Sequence, residues 1–211
     1  MIVAIDGPSA SGKGTLSKRL AAHLGYAHLD TGKIYRAVGM MALRVGGDLA
    51  DESVVLQAAK LLEPSAFTDP ELDGDIAAVA ASKVAAITSV RTLLLQFQRD
   101  FAAVPPGDLK GAVLDGRDIG TVVCPEAEIK LYVKANIDIR AERRHKELLE
   151  RGESIIYARV LQDMKERDER DTNRSVAPLK PAEDAFIIDT SDLDADQAFA
   201  AALAAIKRTG R

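Results

Sequence analysis

Five short apolar runs are spaced along the chain, each closed by a polar or glycine junction: Ile2–Ile5, Ala27–Leu29, Gly111–Leu114, Ile129–Val133 and Phe186–Ile188. Runs of this length between turn-forming residues predict buried strands, and the stretches between them carry apolar residues at helical spacing, as in Leu16–Leu24. Alternation of this kind predicts an α/β fold, a five-stranded and mostly parallel sheet with helices on both faces. Ligands of such sheets bind beyond the carboxyl ends of the strands, so the residues that follow each run are the candidates for chemistry.

Two stretches break the alternation. From Asp48 to about Phe101 the pattern is mainly helical, interrupted by Glu63–Pro70 and by Asp73–Gly74, and it predicts an inserted small lobe over 48–101. Between Arg140 and Arg174 ten Lys/Arg accompany nine Asp/Glu; the segment is helical by composition and stops at Val176–Pro181, which sets 140–174 apart as an arginine-rich region. The segments 1–47, 102–139 and 175–211 remain as the core, the last with a strong alanine-rich helix around Ala198–Ala205.

Composition narrows the function. A chain of 211 residues with 47% apolar content suits one domain with a sizeable core. With 28 Lys+Arg against 32 Asp+Glu and a net charge of -4, it lacks the basic field that holds a protein on a nucleic-acid polymer. The single cysteine, Cys124, excludes an intramolecular disulfide and a cysteine-based zinc site; beside Val122, Val123 and Pro125 it reads as a small buried hydrophobe. His23, His28 and His145 have no metal-ligand spacing, and no protein metal site is expected. The apolar start at Met1–Gly7 is too short for a signal peptide, and no run approaches the ~20 residues of a membrane span, so the expectation is a soluble cytoplasmic protein with no membrane partner.

Four segments after the predicted strands carry chemistry. The first is Gly7-Pro8-Ser9-Ala10-Ser11-Gly12-Lys13-Gly14-Thr15, a glycine-rich P-loop between strand and helix. Its backbone amides can converge on phosphates, the helix N-terminus favours negative charge, and Lys13 adds a mobile cation, which points to a nucleoside triphosphate. Gly14 stands where the general pattern has Ser or Thr, and the hydroxyl comes only at Thr15; the Lys-Gly-Thr variant is the one associated with nucleoside monophosphate kinases.

Asp30-Thr31-Gly32-Lys33-Ile34-Tyr35-Arg36 follows the second run; Arg36 there can clamp an acceptor phosphate, although a capped helix start with a solvated arginine fits the same residues. In Asp115-Gly116-Arg117-Asp118-Ile119-Gly120 a carboxylate ends a core strand, where it can organise magnesium through water while Arg117 and Asp118 face the cleft; a polar turn is the alternative. The fourth segment is Glu166–Arg174. On a helix Arg167, Arg170, Asp171 and Arg174 share a face, as Arg140, Arg143 and Arg144 do earlier; both groups suit phosphate binding by a mobile lid, or a solvated helix laced with ion pairs. An Asn-Lys-x-Asp element for guanine is absent, and no nucleophilic triad is suggested.

Taken in order, GPSASGKGT, LDTGKIYR, ASKVAAITSVR, LDGRDIGTVV and ERDERDTNRSVAPL resemble the bacterial-type cytidylate kinase family over nearly the whole chain. The resemblance implies a P-loop kinase core with a five-stranded parallel sheet, a monophosphate-binding insertion (48–101) and an Arg-rich helical lid (140–174). The stretch Tyr35–Ser82 is shorter than in the longer members, and its poor strand signals put a small β-sheet there in question.

The implied activity is transfer of phosphate from ATP to CMP and dCMP, with Mg2+ held by phosphates and waters, in a monomer. The implied site has Gly7 to Thr15 on ATP; Arg36, Arg117 and Arg174 on the acceptor phosphate; Ser82, Arg91 and Asp118 on cytosine; Arg167 and Asp171 on the ribose. Thr31, Tyr35 and Asp115 complete the acceptor side, and Lys13, Arg117, Arg170 and Arg174 are the catalytic charges. Competing readings are a kinase of UMP, AMP or shikimate on the same scaffold, and a nucleotide-dependent switch without phosphoryl transfer.

Overall fold

The computed structural model describes residues 1–208; the last three residues of the expected core segment 175–211 lie outside the described residues. The predicted strands form as β1 (Ile2–Asp6), β2 (Ala27–Asp30), β3 (Ala112–Gly116), β4 (Ile129–Lys134) and β5 (Phe186–Asp189). They make a single parallel sheet in the order β2-β3-β1-β4-β5. Period-two alternation then separates the two sheet faces. Ala4, Leu29, Ala112 and Leu114 point to one core layer, while Val3, Ile5, Val113, Leu131 and Val133 point to the other.

Helices α1 (Lys13–Leu24) and α8 (Ala195–Arg208) cover the second layer, and α2 (Thr31–Arg44), α3 (Glu52–Lys60), α4 (Asp75–Val84) and α5 (Thr88–Ala103) lie on the side of the first. Their ends follow local chemistry. Gly12, at φ 86°, turns the chain into α1, and Gly25, at φ 66°, closes it with its amide on the carbonyls of Ala21 and Ala22. The Asp30 side chain caps α2 by accepting from the Lys33 amide, and Asp51 caps α3 in the same way. Helix α1 begins at Lys13, three residues before the first apolar position of its stripe.

The helices of 48–101 do not stand away from the sheet. Val90 and Leu94 of α5 share a core with Leu29 and Leu114, because the apolar stripe of an amphipathic helix needs a partner surface and the sheet face supplies it. Helix α4 lies against α2 so closely that a Cβ on Gly39 would come 2.7 Å from the Cβ of Ala80. Among the described residues every strand belongs to the five-stranded sheet, and 48–101 holds helices and short 3₁₀ turns only.

The arginine-rich region is a hairpin of α6 (Ile137–Glu150) and α7 (Tyr157–Asn173), broken at Arg151–Ile156 where Gly152 takes φ 81°. It has its own small core of Ala141, Leu148, Val160 and Met164, against which Ala10 of the phosphate loop packs.

Candidate active site

The parallel register brings Asp6, Gly116 and Asp30 to one edge of the sheet: Asp6 lies beside Gly116, and Asp30 beside Asp115. Here the phosphate loop leaves β1. A Cβ on Gly7 would lie 2.0 Å from the Val133 carbonyl oxygen, so only glycine lets the loop pass that close to β4. Ala10 holds φ 56°, a conformation that costs a non-glycine residue energy and tends to persist where a ligand uses it. Ser11 is buried, and its Oγ has no hydrogen-bond partner.

Beside the loop a chamber is lined by Lys13, Arg36, Arg117, Arg144 and Arg167 together with Asp30, Asp115 and Glu147. Among the described residues Lys13 Nζ donates only to the Pro8 carbonyl, at 3.2 Å. Its removal from water, with Arg117 nearby, pulls its pKa down to about 7 against the counter-pull of Asp115 and Asp30. Burial and the charges of Arg117, Arg36 and Arg144 press Arg167 down to about 9, while Asp171 opposes them. Burial also lowers Arg36. The Nε atoms of both Arg36 and Arg167 are buried without a hydrogen-bond partner. Each arginine of the chamber has a carboxylate within ion-pair reach, Arg144 Nη1 at 2.9 Å from Glu147, Arg117 Nε at 3.0 Å from Asp171, and Arg36 Nη1 and Arg167 Nε at 3.8 Å from Asp73 and Asp171, whereas Lys13 forms no ion pair among the described residues. Five cations gathered around one chamber are complementary to a polyanion.

A second cleft opens beside it, bounded by Thr31, Tyr35, Ser82, Arg91, Asp118, Asp171 and Arg174. Its charges are already matched. Asp118 is gripped by Arg91 Nη2 on one oxygen and by Arg174 Nη2 at 3.4 Å on the other. Arg117 Nε donates to Asp171 Oδ2 at 3.0 Å, Ser82 Oγ donates to Asp171 Oδ1 at 2.9 Å, and Arg170 Nε donates to Ser82 at 3.1 Å. Burial raises the pKa of Asp118 despite its arginines. For Asp171 burial also pushes upward, but Arg117, Arg167 and Ser82 together hold it below the usual carboxylate range. The Arg91 guanidinium lies 5.6 Å from the centre of the Tyr35 ring and closes the apolar wall.

The residues singled out in the sequence divide between these two spaces. Arg36 lines the chamber and lies outside the cleft, with Nη1 on the Leu72 carbonyl at 2.7 Å. Arg117 and Arg167 border both. Thr31 Oγ1 is spent on the Asp115 carbonyl, 2.8 Å away, which turns it into a brace between α2 and β3. Of the earlier arginine group, Arg140 is bound to Asp168 at 2.5 Å and to the Ser9 carbonyl at 3.2 Å, and Arg143 to Thr190, so these two brace the hairpin against the core. Cys124 is buried, and desolvation pushes its thiol up to about 11, as befits an inert hydrophobe.

Arg144, grouped in the sequence with Arg140 and Arg143 as suited to phosphate, lines the chamber. Sequence reasoning missed the buried carboxylate of Asp6 and the bond of 2.8 Å between His28 Nε2 and Asp115 Oδ2. Asp6 stands at a strand end, where the rim rule could have found it; nothing local marks the bond of His28. A further pocket on the outer side of the loop is formed by Gly12, Thr15, Arg143, Thr190 and Asp194 with neighbouring apolar residues, and Thr15 is exposed there.

A parallel sheet whose strand ends present a phosphate loop next to a second, charge-matched cleft defines the class: a P-loop phosphotransferase with adjoining donor and acceptor spaces. Comparison with known proteins gives the family. The model of the cytidylate kinase family matches residues 3–208. A cytidylate kinase of Paramagnetospirillum magneticum is 65% identical over 97% of this chain and 97% of its own length. One of Rhodospirillum rubrum is 55% identical over 96% and 95%, and one of Rhodopseudomonas palustris is 54% identical over 100% and 99%. The crystal structure of an uncharacterized protein from Eubacterium ventriosum shares the fold at a TM-score of 0.51 and 15% identity, over 100% of this chain and 98% of that one. The chain belongs to the cytidylate kinase family.

Proposed function

We propose that this protein transfers the terminal phosphoryl group of ATP to CMP and dCMP. The observation that carries the reading is the junction of the two spaces: a chamber lined by five cations adjoins a cleft whose buried carboxylate, Asp118, is flanked by two arginines. The phosphate loop and Lys13 hold the donor phosphates. Arg36, Arg117 and Arg174 hold the acceptor phosphate, and Arg117, Arg170 and Arg174 join Lys13 in neutralising charge as the phosphoryl group moves. The pocket by Thr15 and Arg143 takes the donor base.

In the cleft, Asp118 and Ser82 accept from the exocyclic amino group of cytosine, Arg91 donates to its ring acceptors, and Arg167 and Asp171 meet the ribose. An ionised carboxylate has about four acceptor sites, so Asp118 keeps capacity beyond its two arginines. The attacking atom is a phosphate oxygen that is already negative, so no protein base is required; positioning and charge neutralisation do the catalysis.

Magnesium fits the donor set present. Asp30 and Asp115 line the chamber. Among the described residues no group of three or more His, Cys, Asp or Glu is arranged to hold a metal. That combination suits an ion held mainly by substrate phosphates and water, with the two carboxylates reaching it through water. When bound, the ion offsets charge on the transferring phosphoryl group.

The reading extends to a cytoplasmic monomer, and among the described residues no single helix is long and apolar enough to cross a membrane. In it the α6–α7 hairpin, 140–174, acts as a lid, already touching the loop through Arg140 and Arg167 on Ser9. Coupled ADP production with CMP, dCMP, UMP, AMP and shikimate in turn tests the assignment. Turnover is expected with the cytosine nucleotides, and equal turnover with UMP overturns it.

A further inference from the structure

Asp6 closes β1 immediately before Gly7 and is 4% exposed, yet among the described residues it forms no ion pair. Both of its oxygens are committed to backbone amides far away in the chain: Oδ1 accepts from Ile119 and Oδ2 from Gly120, each at 2.8 Å. These are the first two residues after Asp118, and they open a π-helical turn, Ile119–Val123, before which Asp118 itself adopts φ -144° and ψ 24°. Turns of this kind are frequent at functional sites. Burial, and secondarily the Asp118 charge, push the Asp6 pKa up to about 7, although the two amides pull the other way. A buried carboxylate without a cation is costly, and a core that needed only packing would be better served by an apolar side chain.

We propose that Asp6 is a positioning residue for base selection: by holding the Ile119 and Gly120 amides it fixes the Asp118 carboxylate against the acceptor base. It thereby ties the strand that carries the phosphate loop to the loop that reads the nucleotide. The inference rests on the reading above, in which Asp118 meets cytosine. An amide at position 6 keeps the volume of the side chain but turns an NH2 group toward one of the two amides, so that bond is lost and the loop shifts. A shift of a few tenths of an ångström matters where selection depends on the placement of one carboxylate.

The test is steady-state kinetics of Asp6→Asn with CMP and UMP, alongside Asp118→Asn and the double variant. Asp6→Asn is expected to raise KM for CMP and to shrink the CMP to UMP ratio of kcat/KM by roughly tenfold, about the worth of one hydrogen bond to a charged group. KM for ATP should stay unchanged. In the Asp118→Asn background the same substitution should alter the ratio no further, since both act through one contact.

Gly120→Ala perturbs the bond pair from the other side. Its Cβ would come 3.2 Å from Lys130 Cδ, a flexible stem that can yield, and 3.5 Å from Asp6 Oδ2. A fall in the ratio of about two- to threefold is expected from so small a displacement. This variant decides the question if Asp6→Asn does not fold. Folded Asp6→Asn and Gly120→Ala proteins that keep the unsubstituted ratio overturn the proposal, as does full additivity in the double variant. An unsubstituted enzyme with no preference for CMP overturns the parent reading instead.

Discussion

The chamber and the cleft are both lined by arginine, but their charges are matched to different degrees. In the cleft Arg91 and Arg174 hold Asp118, and Arg117 holds Asp171, so every buried charge there has a partner. In the chamber Lys13 has one carbonyl and, among the described residues, no ion pair, while Arg36 Nη1 and Arg167 Nε reach Asp73 and Asp171 only at 3.8 Å, so the buried Nε atoms of both go without a hydrogen bond. Pairing inside the protein preorganises a site for a neutral polar ligand, because the donors and acceptors are fixed before it arrives. Leaving a cation without a carboxylate, as at Lys13, costs stability and prepares a site for an anion that will supply the missing charge. Two clusters built from the same residue types thus differ in how much charge they leave unmatched.

The comparison is broken most severely by removing an unpaired charge. Lys13→Ala should leave a folded protein with kcat reduced by at least about 100-fold, since one preorganised charge at a transferring phosphoryl group is worth on the order of 3 kcal/mol. Circular dichroism with coupled ADP release measures it, and near-normal turnover by the folded variant would remove the phosphate-loop assignment.

A smaller effect is expected in the paired cleft. Asp118→Asn supplies an amide that can donate to the uracil carbonyl, so kcat/KM for CMP should fall and the CMP to UMP ratio should shrink by roughly tenfold. The ratio is the informative quantity because Asp118 neighbours Arg117. Equal losses for both nucleotides would mean that Asp118 serves geometry alone.

The smallest effect concerns the stability cost of the unpaired charge. With a pKa of about 7 in the folded protein and 10.5 in the open chain, Lys13 binds fewer protons folded than unfolded between those values. Stability of the ligand-free protein therefore gains from this group as pH rises from 7 toward 10.5. Below pH 7 the lysine is charged in both states and its burial costs stability in full. Lys13→Met should accordingly melt several degrees higher than the unsubstituted protein at pH 6, and the gap should narrow at pH 9. Thermal unfolding of the two proteins across that range checks it; a constant gap would show that the lysine is solvated.

Much of the site was legible because its segments are contiguous. The glycines of Gly7–Gly14 and the cap at Asp30 follow from local backbone needs, and the strand-end rule led to Asp115, Arg117 and Asp118 without any knowledge of packing. The helices of 48–101 were legible as helices but not as part of the sheet's own core, since periodicity reveals an apolar stripe and says nothing of which surface will cover it. Thr31 was legible as a rim residue, but the structure spends its hydroxyl on the Asp115 carbonyl.

The sequence by itself determined the strand count, the parallel α/β class, the phosphate loop and the set of charged side chains that could serve it. Only the tertiary structure decided which of those charges cancel. Ser82 meets Asp171 across 89 residues, His28 meets Asp115 across 87, and Asp6 reaches Gly120 across 114. No local pattern encodes such distances. The physical reason is that a guanidinium or a carboxylate has the same identity whether paired or waiting, and its state depends on which groups folding brings within hydrogen-bond reach and how much water it removes from around them.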